Sequence, residues 1–562
     1  MSLTHFLAAS LLGLSLLSIH LGDSVADNTT VTYDWRVTSI SSSCDGVALT
    51  SFGINDAPSS QALIDVELGQ TVQVTVTNEL DEPTCLHWHG LQQLGTQEMD
   101  GTSSITQCQV APGGTAVYTF TPEKAGTFWW HSHHATQYAF GLRGPLVVHA
   151  PTAELQSWEE DIDAEYTVQL VDLYHASPGV VPMWDSILIN NLGRYNCTAA
   201  ASHGYTECNT DQPLTRFKFE AGKKYRLRII NMAALAPFVF SIDGHEFQVI
   251  AADSEPLQPS DLITTVTINA GQRYDLIVEA KTSTDSSIGS FWMRATALYG
   301  LPWTAGTASV AGEGFNYEGL GVIYYEDEDV DDPTSETWTE TTTVNEFDFT
   351  PLVSAVLPTA PSDRPILEFD FRRGLGYFSI DGGDYTNFVP PDEPPLFTIA
   401  NGLKTEELPA SANARKIEYG KHIEVVLVND MNEQHPFHMH THAPWVVGSG
   451  AASLEDIQND NLPALKLSGP MKRDVYTVPP CTTDDSNVCT NVGYLVLRFT
   501  ADNPGVWIVH CHIDWHLDAG LAMILVEGED ELQAAGIDAF SNSMLSVCGS
   551  EFTNSTSSNS TA

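Results

Sequence analysis

Basic residues are scarce in this 562-residue chain, where 24 Lys and Arg stand against 72 Asp and Glu for a formal net charge of −48. A surface that negative repels phosphate backbones and anionic lipid, which excludes nucleic acid as a partner. After the first 26 residues no apolar run approaches the ~20 residues that cross a bilayer, so no membrane association is expected. Long segments of 3.6-residue periodicity are also missing. Only 17% of residues are charged, while 41 Gly and 30 Pro are present. That composition excludes a coiled coil and a disordered chain and points to an all-β protein of short strands joined by turns.

The apolar run Phe6 to Ile19, followed by Ser24-Val25-Ala26, reads as a signal peptide over residues 1–26. A secreted, extracellular product follows. Asn28, Asn196, Asn554 and Asn559 head Asn-x-Ser/Thr glycan acceptor motifs. Nine cysteines suit an oxidising compartment, and the odd count leaves at least one for another task. Cys511, between His510 and His512, is a better metal ligand than disulfide partner. The other eight suffice for four bridges, with Cys197–Cys208 and Cys481–Cys489 as short-loop pairs.

Alternating runs such as Val72-Val74-Val76, Ala116-Tyr118-Phe120 and Ile423-Val425-Leu427 predict half-buried strands. A polar glycine turn between strands recurs at Leu68-Gly69-Gln70, Ala221-Gly222-Lys223 and Tyr419-Gly420-Lys421, suggesting three copies of one β-sandwich. The acidic, Ser/Thr-rich stretch from Glu326 reads as a solvated linker. The expected division is domains at 27–155, 156–325 and 365–550, a linker at 326–364 and a disordered tail at 551–562.

Of 19 histidines, 12 fall in four windows: 87–89, 131–134, 435–442 and 510–516. His-x-His in strand-like sequence puts both imidazoles on one face, so one strand donates two ligands to one centre. In His510-Cys511-His512 the thiol then points the other way, placing two metal sites a single residue apart. One thiolate with two imidazoles, here His435, Cys511 and His516, is the ligand set of a blue-copper electron-transfer site. Of the ten other imidazoles in these windows, eight form an all-nitrogen cluster. Structural zinc takes four closed ligands and catalytic zinc three plus water, so zinc explains neither group. His149, His175, His203, His245 and His422 are assigned no role.

The stretch His87-Trp88-His89-Gly90 through Asp100-Gly101 to Gln107-Cys108 resembles the first copper-binding signature of laccases and other multicopper oxidases. Residues 126–148, 435–442 and 510–521 resemble the other three, in order. The resemblance covers essentially the whole mature chain and implies three cupredoxin-like Greek-key β-sandwich domains. It implies four copper ions, with a trinuclear cluster between the first and third domains. His87 and His438 correspond to the type 2 ligands. His89, His131 and His512 correspond to one type 3 copper, and His133, His440 and His510 to the other. His134 and His442 correspond to no ligand, and Leu521 takes the axial position at the type 1 copper, where it cannot coordinate. The implied reaction takes single electrons from a reductant at the type 1 copper, passes them through Cys511 to His510 and His512, and reduces dioxygen to water. Asp100 and Asp514 occupy positions of proton-donating acids; as alternatives, Asp100 is a turn residue and Asp514 a ligand orienter.

The chain also departs from the pattern. The loop Met232 to Pro237 lacks the carboxylate that phenol-oxidising fungal laccases present there, Phe140 stands where Asp often precedes Gly141, and Cys85 is unusual beside the first cluster. The expected partners are dioxygen and a phenol, aromatic amine or Fe(II), for a monomeric enzyme. Alternatives are a ferroxidase or an ascorbate-oxidase-like enzyme. A plain copper carrier would need only His435, Cys511 and His516.

Overall fold

A computed structural model describes residues 29–175, 183–201, 204–205, 207–282, 289–300, 303, 316–325 and 331–549. The expected signal peptide and tail, the acceptors Asn28, Asn554 and Asn559, and His203 lie outside the described residues. Within them no helix is long and apolar enough to cross a membrane. The described α-helices span at most the seven residues of Glu529–Ala535. At that length packing, not intrinsic propensity, sustains a helix.

The strands form three pairs of sheets. In the first pair the order Ala57–Pro58, Leu49–Ile54, Thr30–Ser42, Thr71–Asn78, Thr115–Phe120 faces Ile64–Glu67, Arg143–His149, Gly126–Ser132, Leu86–His89. A six-stranded and a five-stranded sheet built from residues 164–324 make the second pair. The third has the same sizes and is built from residues 366–527.

Strands Thr71–Asn78, Lys224–Asn231 and His422–Asn429 hold equivalent places. Each pairs parallel with the first long strand of its unit and antiparallel on its other side. Each follows one of the predicted glycine turns, where Gly69, Gly222 and Gly420 sit at φ 93°, 74° and 73°. A Cβ disfavours that backbone. Each also ends in an asparagine that fastens the next loop. The Nδ2 of Asn78, Asn231 and Asn429 donates to two carbonyls, and the Oδ1 accepts the amide two residues on. One hydrogen-bond pattern thus recurs three times with three different sets of neighbours.

The first of these strands alternates as expected, with Val72, Val74 and Val76 inward. His422–Asn429 instead is buried on both faces. Val426 and Val428 meet a second apolar cluster with Leu357, Val447, Ile457 and Val496. Residues 331–343 cross the surface largely exposed, yet they are tied to the second unit. Ser335 donates to Asp243, Trp338 to the Ile242 carbonyl, and Thr342 to Thr264.

Three disulfides form among the described residues: Cys197–Cys208, Cys481–Cys489 and Cys108–Cys548. The expected fourth is absent. Cys44 and Cys85 are free and buried in separate places, Cys44 against the Ser42 hydroxyl and Cys85 inside the first unit. Burial pushes both thiols up, that of Cys85 to about 12. The Cys108–Cys548 bridge ties the C-terminal helix Asn542–Val547 to the first unit. Gln97 donates to the Pro504 carbonyl and Asn503 to that of Gln92, closing the seam between the first and third units.

Candidate metal centre

The histidine windows meet in that seam. Strands Leu86–His89 and Gly126–Ser132 are paired with His87 opposite His131. Strands His435–Met439 and Gly505–Cys511 are paired with His438 opposite His510. His133, His440 and His512 lie just past the strand ends, so both sheets deliver their imidazoles to one place.

Three groups have their ligand atoms within 4.8 Å of one another: His89, His131 and His512; His133, His440 and His510; and His87, His89 and His438. The Nε2 atoms of His440 and His510 are 3.3 Å apart, as are His512 Nε2 and His89 Nδ1. The ring of His87 stacks on His440 and that of His89 on His438, at 3.9 and 3.8 Å.

The outer nitrogens show which inner ones are free to bind. Nδ1 of His87 donates to the Asp100 carbonyl at 2.7 Å, that of His131 to Ser132, that of His438 to Asp474 and that of His510 to Cys511, each at 2.9 Å. A carbonyl can only accept, so each ring carries its proton outside and turns a lone pair inward. The Nε2 atoms of His87, His131, His133 and His438 have no hydrogen-bond partner among the described residues. Burial and then the neighbouring imidazoles hold His89, His131, His133, His438 and His440 well below the usual histidine range, and burial takes His510 to about 4. Buried rings whose inner nitrogens converge in one seam fit metal ions.

Cys511 turns away from this cluster. Its Sγ is 3.6 Å from the Nδ1 of both His435 and His516. Burial raises the thiol and lowers both imidazoles, His516 to about 3. A bound cation reverses the first effect by deprotonating the sulfur. This soft sulfur with two imidazoles suits copper. Leu521 is fully buried beside the trio, its amide donating to the His516 carbonyl and its carbonyl accepting from the Cys511 amide. Phe371 stacks on His516 at 4.3 Å, and Phe369 meets His435 edge-on.

A cavity of about 290 Å³ reaches the cluster between His131, His133, His510 and His512. Asp514 lines it, with Oδ2 buried and unpartnered among the described residues. Burial, then Asp518 and Asp172, push its carboxyl well above the ordinary range. Asp100 lies elsewhere: its carboxylate accepts from His440 Nδ1 at 3.0 Å and from the Thr102 hydroxyl at 2.7 Å. It therefore orients two imidazoles, one by its carbonyl and one by its carboxylate. His442 pairs with Glu527 at 3.1 Å, away from the groups above. His134 sits at the cavity wall.

Sequence reading passed over three residues of this region. Asp474 accepts from His89 and His438, Arg273 grips Asp474, and Asp172 accepts the amides of Ala234, Leu235 and Ala236. Asp474 follows Lys472 and Arg473 just before the strand Val475–Val478, and Arg273 shares its strand with Asp275, so only Asp172, among the apolar residues that end Ala164–Leu173, stands out in sequence.

Sequence models of the multicopper oxidase family match residues 36–153, 151–318 and 388–531. Laccase-5 of Trametes villosa is 32% identical over 509 residues, covering 86% of this chain and 87% of the relative. The chain belongs to the multicopper oxidase family. The laccase of Phlebia radiata is 34% identical, covering 88% of this chain and 89% of that one. Among solved structures, the Botrytis aclada laccase superposes with TM-score 0.75 at 28% identity, covering 91% and 90%. Fet3p, at 24% identity and TM-score 0.76 over 92% and 94%, shares the fold. This multicopper oxidase is laccase-type, a copper-dependent oxidoreductase using dioxygen, with one type 1, one type 2 and a pair of type 3 copper ions.

Proposed function

We propose that the eight imidazoles meeting in the seam and the trio His435, Cys511 and His516 behind them hold the four copper ions, and that this is a secreted, monomeric enzyme oxidising phenols or aromatic amines. His435, Cys511 and His516 take the type 1 ion, His87 and His438 the type 2 ion, and the two triads the type 3 pair. The observation that carries the reading is the single-residue step: Cys511 faces one group while His510 and His512 each belong to a triad. When bound, the copper ions supply one-electron oxidation at the trio and four-electron reduction of dioxygen to water at the triads.

The chain's own part is positional and protonic. The peptide bonds on either side of Cys511 form a covalent route from its sulfur to both triads. Neutral imidazoles with outward N–H groups keep the inner lone pairs available. The Asp514 carboxyl, whose hold on a proton burial strengthens, is placed to carry one at Oδ2 beside a cavity with room for dioxygen and several waters. Secretion is supported by the leader sequence and by Asn196, an exposed acceptor at the head of the helix Cys197–Ala200.

The wall near the trio favours an uncharged ring. Leu235 occupies the loop, and the Asp172 carboxylate beneath it is taken up by three amides. A second reading, Fe(II), draws on the carboxylates Asp370, Asp430 and Glu433: Asp370 follows Phe369 on the strand above His435, and burial and Asp370 raise the other two.

Oxygen uptake by the copper-loaded enzyme, with a methoxyphenol, Fe(II) and ascorbate compared at one pH, decides between them. Preference for the phenol with water as product supports the first reading. Preference for Fe(II) or ascorbate replaces the substrate assignment and leaves the ligands standing. Cleavage of the leader and a glycan at Asn196 are checked by mass spectrometry of the secreted protein, and the monomer by light scattering.

A further inference from the structure

One imidazole in the seam is turned the other way round. His87, His131, His438, His440 and His510 put Nδ1 outward to an acceptor. His89 instead puts Nε2 outward, 3.2 Å from Asp474 Oδ1, and faces His512 with Nδ1. The Asp474 carboxylate can only accept, so it keeps the His89 proton on Nε2 and leaves Nδ1 for the cluster, and the ring is aimed only as well as that carboxylate is held.

Asp474 is held by a residue of the middle unit, which supplies none of the imidazoles. Arg273 is fully buried, and its Nη1 and Nη2 each donate at 2.6 Å to one oxygen of Asp474. Its Nε donates to the Thr127 carbonyl of the first unit, and Nη1 also reaches the Gly271 carbonyl. One guanidinium therefore joins all three units. Burial works against the Arg273 charge, but Asp474 and Asp253 more than offset it and keep its pKa above the ordinary value.

The backbone of Asp474 is fixed as well. Asp253 Oδ2 accepts the amides of Asp474 and Val475, both at 3.0 Å, which aims the Asp474 carbonyl at His438 Nδ1. Room for the pair comes from Gly90, next to His89 and at φ 94°. A Cβ there would lie 2.6 Å from Arg273 Nη2 and 3.1 Å from Asp474 Oδ2. Asp100 offers the internal comparison: it too orients one ring by its carbonyl and one by its carboxylate, yet its carboxylate partner is the Thr102 hydroxyl where Asp474 has a guanidinium.

We propose that Arg273 is a positioning residue of the copper cluster, fixing the reversed ring of His89 through the fork it makes with Asp474. This rests on the ligand reading above. Removing the fork should loosen His89, and loss of such outer partners typically costs metal sites about 10–100-fold in affinity.

The test uses the copper-loaded enzyme and its variants Arg273→Gln, Arg273→Lys, Asp474→Asn and the neutral pair Arg273→Met/Asp474→Asn. Copper per chain is measured after chelator dialysis, together with the type 2 electron paramagnetic resonance and the blue absorption of the Cys511 site. Arg273→Gln should lose cluster copper about 10–100-fold more readily and shift the type 2 resonance while staying blue. Arg273→Lys keeps the charge without the fork and should recover part of the loss. Wild-type copper retention and resonance in Arg273→Gln overturn the proposal. If that variant does not fold, the neutral pair decides, since it leaves no buried charge unpaired. Copper held more weakly in the folded pair than in Asp474→Asn alone supports the role, and equal retention in the two refutes it. A parent protein lacking four coppers or blue colour would instead sink the ligand reading.

Discussion

The amide of Asp514 donates to the carbonyl of Ala234 at 2.9 Å, so a loop of the middle unit holds the acid that lines the cavity. The same loop rests on Asp172, which also accepts from the Tyr174 hydroxyl, and that hydroxyl accepts from Trp515 Nε1. The short helix Asp514–Asp518, which carries His516, is thereby pinned at two points to a unit that supplies none of the eleven ligands proposed here. The middle unit acts on the centre from outside.

Asp514→Asn keeps the side chain's size and removes its transferable proton. Reduction of the blue site by substrate should be unchanged, while reoxidation by dioxygen slows by at least about 100-fold, the low end for loss of a general acid. Stopped-flow measurement of the two half-reactions separates them. Equal reoxidation rates would remove Asp514 from the proton path.

Cys511→Ser exchanges a soft thiolate for a hydroxyl that binds copper poorly. The blue colour should vanish, three coppers per chain should remain, and oxidation of substrate should cease. Absorption spectra and metal analysis check this. An intense thiolate-to-copper band surviving in the variant would falsify the placing of the type 1 site.

Gly376 lies in the hairpin that carries Phe371, and a Cβ on it would stand 2.4 Å from Leu521 Cβ and 2.6 Å from the Leu521 backbone. Since Leu521 bonds Cys511 and His516 through its main chain, Gly376→Ala should cost about 1–3 kcal/mol by overpacking and shift the blue band. Thermal unfolding and the visible spectrum report the two effects. An unshifted band would mean that the hairpin, not Leu521, yields.

Much of this centre was legible because strand periodicity carries chemistry: His87 and His89, or His510 and His512, must share a face, and Cys511 must oppose them. The glycine turns at Gly69, Gly222 and Gly420 marked the threefold repeat for a similar local reason. What escaped depends on contacts distant in sequence. Asp474 and Arg273 are 201 residues apart, and neither window shows that the two meet. Cys44 and Cys85 were counted into disulfides because cysteine number says nothing of distance, and Cys108 found its partner 440 residues away. The double burial of His422–Asn429 was hidden because its second face is covered by residues distant in sequence, Ile457 of the short helix Leu454–Gln458 and Leu357 of a loop among them.

Acid stability should depend on Glu165, at the joint between the first and second units. Its carboxylate is 2.9 Å from Arg228 and 3.7 Å from His149, whose other nitrogen is 2.6 Å from Asp65. Burial opposes ionisation, but Arg228, then His149 and Arg226, overcome it and hold the carboxyl down to about 2. A folded pKa below the unfolded one means the native state binds fewer protons, so the stabilisation is complete above the ordinary glutamate range and is lost as pH falls toward about 2. With the side chain 24% exposed, solvent trims the full linkage to roughly 2–3 kcal/mol. Glu165→Gln should be less stable by that amount near neutrality, and the gap should narrow steadily from about pH 5 to about pH 3 in denaturant titrations. A gap constant with pH would mean that Glu165 stabilises the joint by packing and not by its charge.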